Sequence, residues 1–183
     1  MTIGVPVSRL ELWDVATGRM ALPAGPLRIL AGASSDDIRQ TAALPRPLTG
    51  LAAAAARRPA RVAAADFDDQ VNVTLIDTTR SSGDAVTAAD PSRAAWVRYH
   101  RIDPSRLAEP AFQVACASPA GGRIEVWLAE PSAGGSPVTS AAVPSTGGRY
   151  SWQRVTAPAP VPESAATVYL ALHGPVRLDW FQL

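Results

Sequence analysis

The chain has 183 residues, and its 17 basic and 16 acidic side chains leave a formal net charge of +1. This length suits one ordinary domain, or one domain with a fragment, and the small charge excludes a field that gathers nucleic acid. A single cysteine, Cys116, excludes an internal disulfide and a cysteine-based zinc site. No apolar stretch reaches membrane-spanning length and no leader pattern follows Met1, so we expect a soluble chain without a membrane partner or export signal, its location left open.

Residues 1–44 read as strands separated by turns. The pattern predicts strands at Leu10–Val15, Arg19–Leu22 and Leu27–Leu30, with turns at residues 16–18 and 23–25. Three short strands cannot close a β-sandwich. This segment is therefore interpreted as a piece of a larger domain.

Residues 45–60 separate that piece from the rest of the chain. The stretch LAAAAARRPA, residues 51–60, is rich in alanine, which favours helix, but Pro59 ends it and Pro45 and Pro47 precede it. We interpret the segment as a tether between domains. A single helical turn packed on the following domain is the alternative.

Residues 61–183 show only strand patterns, separated by glycine, proline and serine clusters, and no window has helical periodicity. This number and spacing of strands predicts an all-β domain, an antiparallel β-sandwich of the jelly-roll type. The strands are predicted at Val71–Asp77, Ala95–Ile102, Phe112–Ala117, Arg123–Leu128, Val138–Val143, Trp152–Thr156, Val168–Leu172 and Val176–Phe181.

Two parts of the chain resemble known families. LELWDVATGRMALPAGPLRILAGASSDDIR, residues 10–39, resembles the end of the fibronectin-III-like domain that closes many family 3 glycoside hydrolases. Residues 61–183 resemble a family 6 carbohydrate-binding module. The motifs are ADFDDQ (65–70), AAWVRYHRID (94–103), GGRIEVWL (121–128), STGGRYSWQRVTAP (145–158) and RLDWFQL (177–183). The resemblance implies that this chain is the sugar-binding tail of a β-glucosidase-like enzyme.

The resemblance also implies a sugar site among the loops at one end of the sandwich. Family 6 modules usually place the sugar there between two aromatic rings, above an asparagine. The first aromatic position holds Ala88 and the second holds Arg149, with Tyr150 beside it. The asparagine has no counterpart, and Arg177 is the nearest polar side chain. The expected loop site therefore has one wall, Tyr150, with Arg149 and Arg177 as hydrogen-bond donors.

No cofactor is expected. The family's structural calcium usually uses two glutamates, and their positions hold Ala63 and Ala65 in this sequence. A calcium ion would therefore lack its usual ligands.

Strand alternation indicates a second candidate site, on a sheet face. Val97 and Tyr99 share one face, which leaves Trp96 on the other; by the same alternation Glu125 and Trp127 point away from the core. Exposed tryptophan beside a carboxylate suits sugar, because the ring stacks on C–H groups while charged groups meet hydroxyls. The family resemblance adds Gln70, since some family 6 modules use a Trp and a Gln at these positions. The alternative, that loops or the tether cover both rings, has slightly more in its favour.

An enzymatic function has little support in the sequence. Asp66, Asp68 and Asp69 form a carboxylate cluster, but nothing places two carboxylates on either side of one scissile bond. His100 and His173 share no motif, and Cys116 alternates with apolar positions as a buried residue does. We therefore expect a non-catalytic module that binds β-linked plant or cell-wall glycans, beside a glycosidase domain. A structural domain without sugar binding is the alternative.

Overall fold

A computed structural model describes residues 4–14, 18–22, 27–43, 61–102, 111–159 and 166–183. The chain divides into two compact units, Met1–Ala56 and Arg57–Leu183. The described residues form strands, with short 3-10 turns at Val7–Leu10 and Pro131–Ala133. No helix among them is long and apolar enough to cross a membrane. The tether predicted at residues 45–60 lies outside the described residues and stays a prediction.

The first unit contains two antiparallel hairpins. They are formed by β1 (Leu12–Asp14) with β2 (Arg19–Ala21), and by β3 (Arg28–Gly32) with β4 (Ile38–Ala43). β4 was not among the predicted strands, and Leu10, which was predicted to lie in a strand, ends a 3-10 turn.

Burial is absent from the described part of this first unit. No residue there is classed as buried, and Leu12, Trp13, Met20, Ile29 and Leu30 are each about half exposed or more. No second layer covers the two hairpins among the described residues, so these side chains find no surface there against which to pack.

The second unit is a sandwich of two antiparallel sheets, as predicted. Its strands are β5 (Arg61–Ala63), β6 (Asp69–Val71), β7 (Val73–Asp77), β8 (Asp84–Ala88), β9 (Ala95–Ile102), β10 (Ala111–Ala117), β11 (Gly122–Trp127), β12 (Thr139–Val143), β13 (Gln153–Pro158), β14 (Ala166–His173) and β15 (Arg177–Gln182). The five-stranded sheet has the order β12–β11–β14–β9–β6. The six-stranded sheet has the order β13–β10–β15–β8–β7, with β5 also paired to β15.

The strand predicted at Val71–Asp77 is in fact two strands in different sheets. Asn72 separates them with a φ of 54°, in the left-handed region that asparagine tolerates better than most residues. Its side chain bonds the backbone of Asp90 twice, donating from Nδ2 to the carbonyl at 2.8 Å and accepting the N–H at 3.1 Å. The kink sends β6 to one sheet and β7 to the other.

The core lies between the two sheets and is built from alternate residues of facing strands. Tyr99 and Phe181 meet there with ring centroids 4.6 Å apart, and the Tyr99 hydroxyl donates to the Ala64 carbonyl at 2.8 Å. The prediction that Leu128 joins this core is wrong, because β11 ends at Trp127 and Leu128 is 43% exposed. The largest fully buried side chains include Tyr99, Phe112, Phe181, Ile124, Leu170 and Leu178.

Cys116 is buried in this core, as its alternation with Val114 predicted. Burial raises the pKa of its thiol to about 11, because the apolar surroundings disfavour the charged thiolate. The residue is therefore a small apolar side chain in the native state and not a reactive nucleophile.

Candidate functional site

The outer face of the five-stranded sheet carries two rows of side chains that cross it. Directly paired residues of neighbouring strands point to the same face. Glu125 on β11 pairs with Ala171 on β14, Ala171 pairs with Trp96 on β9, and Trp96 pairs with Val71 on β6. The second row consists of Trp127, Tyr169, Arg98 and Asp69. The predicted faces of Trp96, Glu125 and Trp127 are therefore confirmed.

A groove of about 320 Å³ lies on this face. Trp96 and Trp127 line it from β9 and β11, and Ala171 lies between them on β14. The small alanine leaves the space that a larger residue would fill, and Pro131 and Ser132 of the 3-10 turn close one side. The groove thus combines an apolar floor with aromatic sides, an arrangement typical of small-ligand sites.

Glu125 fixes the polar side of this groove. Its carboxylate accepts from the Trp127 indole Nε1 at 3.2 Å and pairs with the Arg123 Nε at 2.8 Å and the His173 Nε2 at 2.9 Å. The carboxylate has low exposure, and the Arg123 guanidinium balances its charge. The contact to Nε1 holds the partly exposed Trp127 ring in one orientation at the groove.

Trp96 lines the groove but is only 6% exposed, which corrects the expectation of a freely exposed ring. The edge-to-face contact with Tyr169, at 5.3 Å between centroids and 76° between planes, covers part of it. Trp96 is thus covered in part by a neighbouring strand, whereas the alternative named loops or the tether, and Trp127 remains partly exposed. Trp127 is therefore the ring with surface left for a ligand.

The structure does not bring Gln70 to this groove. Its register partner on β9 is Val97, a core residue, whereas the neighbouring Val71 pairs with Trp96. Gln70 therefore lies on the opposite side of β6, where its Oε1 accepts the N–H of Val73 at 2.9 Å. The sequence pattern had merged β6 with β7 and so gave no register for Gln70.

A second, smaller cleft of about 250 Å³ contains two of the residues predicted for the loop site, Arg149 and Arg177. Pro91, Pro119 and Pro175, from three separate loops, line the same cleft. Ala88 takes no part in it, since this residue pairs with Val73 on β7 and is 5% exposed in the core.

The Arg177 guanidinium lies against two aromatic residues of the loop between β12 and β13. Its Nη1 donates to the Arg149 carbonyl at 2.6 Å, and its Nη2 donates to the Asp77 carbonyl at 2.8 Å. Its Cζ lies 4.9 Å from the Tyr150 ring centroid and 5.8 Å from that of Trp152. The Arg149 guanidinium also contacts Tyr150, at 5.5 Å. The three residues predicted for the loop site are thus adjacent, although Tyr150 stacks on the cations and does not line the cleft.

Comparison with known families decides what the sandwich is. The model of the carbohydrate-binding module, family 6, matches residues 63–183. The chain belongs to this family. Family 6 modules bind carbohydrate without catalysing its conversion.

Solved structures resemble this family 6 module in fold. A cellobiose-bound module from Clostridium stercorarium is 23% identical, with a TM-score of 0.57 over 67% of this chain and 90% of that one. A β-1,3-glucan-binding module from Bacillus halodurans is 26% identical, with a TM-score of 0.56 over 67% and 92%. A family 43 arabinoxylan arabinofuranohydrolase from Bacillus subtilis is 22% identical, with a TM-score of 0.61 over 84% and 32%. Curated protein sequences gave no significant match.

The structure places the two alanines that the resemblance assigns to the calcium positions. Ala63 lies in β5 and Ala65 follows it in a turn. Among the residues that the structure describes, no group of three or more His, Cys, Asp or Glu side chains is arranged to hold a metal ion.

The groove residues that the sequence pattern did not indicate include His173 and Ala171. His173 belongs to no sequence motif, but its register pairing with Arg123 brings it to Glu125. Gly122 permits this approach of β11 and β14, because a Cβ at this position would overlap the His173 carbonyl and a methyl group of Val176. The pairing of β11 with β14 joins segments far apart in sequence, so no local pattern gave it.

Proposed function

We propose that this chain is the non-catalytic, glycan-binding tail of a β-glucosidase-like glycoside hydrolase, and that the groove between Trp96 and Trp127 binds a β-linked glucan or xylan. The observation that carries the proposal is the partly exposed Trp127 ring, held by Glu125 beside an apolar floor at Ala171. A pyranose stacks its C–H face on such a ring while its hydroxyls reach the polar groups at the side.

Two features support the choice of a neutral β-linked ligand. Most of the charge around the groove is balanced by ion pairs, since Glu125 pairs with Arg123 at 2.8 Å and Arg98 pairs with Asp69 at 2.9 Å. Glu130, which also lines the groove, accepts a hydrogen bond from Ser132. A neutral sugar leaves that balance undisturbed. In addition, the similar module from Bacillus halodurans binds β-1,3-glucan, which makes laminari-oligosaccharides the first ligands to test.

The hydrolase parent is supported by the first unit. Residues 10–39 resemble the end of a fibronectin-III-like domain, and their described strands bury no side chain. Strands of that kind gain a core when the remaining strands of the same sandwich cover them. We expect the remaining strands, and the catalytic domain before them, in the parent enzyme.

Calorimetric titration of the whole chain with laminari-, cello- and xylo-oligosaccharides tests the binding proposal. Trp127→Ala is expected to weaken binding of the preferred ligand about tenfold or more, because it removes the stacking surface. Trp13→Ala is the matched control, since this tryptophan is 62% exposed in the first unit and should leave affinity unchanged. Equal effects of the two substitutions would contradict the proposal.

The alternative, a structural domain that binds no sugar, is favoured by one observation. The Glu125 carboxylate already accepts from three side chains, and Trp96 is nearly covered, as in a surface built for stability. This alternative predicts no heat and no change in tryptophan fluorescence with any neutral oligosaccharide tested.

A further inference from the structure

The cleft beside Arg177 contains a buried cation without a counter-charge. Arg177 is 8% exposed, and among the described residues it makes no ion pair. Its two carbonyl contacts use one N–H each of Nη1 and Nη2, and its Nε has no hydrogen-bond partner in the described part of the chain. A buried guanidinium is costly unless an anion or a full set of acceptors compensates it.

A second cation increases this imbalance. The Arg149 guanidinium lies 5.5 Å from the centroid of the Tyr150 ring that Arg177 also contacts, and Arg149 likewise makes no ion pair within the described chain. Asp77, the nearby acidic residue, gives Arg177 its backbone carbonyl and not its carboxylate. Two guanidiniums on one ring repel each other unless an anion lies near both.

The walls of the cleft are suited to a sugar ring. Three prolines, together with Ile76 and Thr87, surround Arg149 and Arg177. Their C–H surfaces give an apolar contact, and a volume of about 250 Å³ is below that of sites for drug-sized ligands, which limits the occupant to a short unit.

We propose that this cleft binds an anionic sugar unit of an acidic glycan, whose carboxylate or sulfate group neutralises Arg149 and Arg177. Guanidinium groups are the side chains best suited to such anions, because their planar N–H groups donate in pairs. The site is separate from the groove of the proposed function and has the opposite electrostatic character. One module would then bind a neutral and an acidic part of a cell-wall polymer.

Calorimetric titration with oligogalacturonate and with its fully methyl-esterified counterpart of equal length tests the proposal. The acid form is expected to bind about tenfold tighter or more, and to lose that advantage as salt rises from about 0.01 M to about 1 M. A sulfated oligosaccharide beside its desulfated form distinguishes sulfate from carboxylate as the recognised group. Equal affinity of charged and neutral forms in both pairs would overturn the proposal.

Substitutions then locate the anion. Arg149→Gln changes an exposed residue and is expected to weaken binding of the anionic ligand about threefold or more. Arg28→Gln, which removes one exposed arginine from the first unit, is the matched control and should have no effect. Arg177→Lys keeps the charge and should retain more affinity than Arg177→Gln. Equal effects of Arg149→Gln and Arg28→Gln would overturn the assignment, whether or not the Arg177 variants fold. Laminari-oligosaccharide binding, measured separately, shows whether the groove works.

Discussion

The groove on the five-stranded sheet and the cleft beside Arg177 belong to one sandwich but differ in whether their charged side chains are paired. In the groove, Glu125 meets Arg123 and His173 at 2.8 Å and 2.9 Å. In the cleft, the partners of Arg177 among the described residues are carbonyl oxygens and aromatic rings. A balanced site recognises ligands by ring stacking and shape, whereas an unbalanced one selects for the missing charge.

The largest expected effect is a loss of stability in Trp96→Ala, which distinguishes the structural role of Trp96 from the binding role of Trp127. Because Trp96 is 6% exposed and packs on Tyr169, its removal leaves a cavity and should lower the free energy of unfolding by about 3 kcal/mol. Urea denaturation measures this loss, and Trp127→Ala should cost clearly less. A Trp96 variant of native stability would show that the ring is free for ligand after all.

The next effect concerns the floor of the groove. Ala171→Leu places a larger side chain between the two tryptophans and should weaken laminari-oligosaccharide binding about tenfold, without changing the affinity of the acidic ligand. Ala142→Leu on β12 is the matched control, because Ala142 is exposed on the same sheet outside the groove. If both leucine variants bind alike, the ligand does not occupy this floor.

A smaller effect is expected for Glu125→Gln. The amide keeps the shape of the side chain but removes the charge that Arg123 and His173 face, so the Trp127 ring is less firmly held. We expect a loss of about threefold in neutral-glycan affinity, measured by calorimetry, and a Glu11→Gln variant should show none. A gain in affinity would mean that the carboxylate repels the ligand.

The smallest expected effect is the pH dependence of stability that the buried Cys116 thiol causes. The same thiol also reports whether each variant is folded. Since burial raises the pKa of Cys116 to about 11 from 9.0, the native thiol stays protonated in a range where an unfolded chain forms thiolate. The contribution of Cys116 to the free energy of unfolding should therefore be fully present below pH 9 and be lost as the pH rises from 9 to about 11. Alkylation at pH 8 should be very slow for every surface variant that remains native. Rapid alkylation of Cys116 in a variant would show that the variant lost binding because it unfolded.

Much of the sandwich was predictable because strand alternation is local. It gave the inward faces of Val97 and Tyr99 and the outward faces of Glu125 and Trp127. The exposure of Trp96 was not predictable, because Tyr169 reaches it only through the pairing of β9 with β14. The kink at Asn72 was missed for a similar reason, since the contacts that hold it come from Asp90 in a later loop.

The charge balance of the two sites depends still more on tertiary contacts. His173 reaches Glu125 from another strand, and Arg177 donates to the carbonyl of Asp77, which lies 100 residues earlier in the chain. Nothing in RLDWFQL indicates that its arginine is buried without an acid. The sequence therefore predicted some residues that line the groove and the cleft, among them Trp127 and Arg149, but neither the position of Gln70 nor the electrostatic character of the two sites.

One calorimetric experiment tests the central claim, that the module has two independent sites for ligands of different charge. Oligogalacturonate is titrated into the chain alone and into the chain saturated with a laminari-oligosaccharide. The account predicts the same affinity and a stoichiometry of about one in both titrations, because the groove and the cleft do not share a residue. Loss of acidic-ligand binding in the saturated chain would contradict it and indicate a single site.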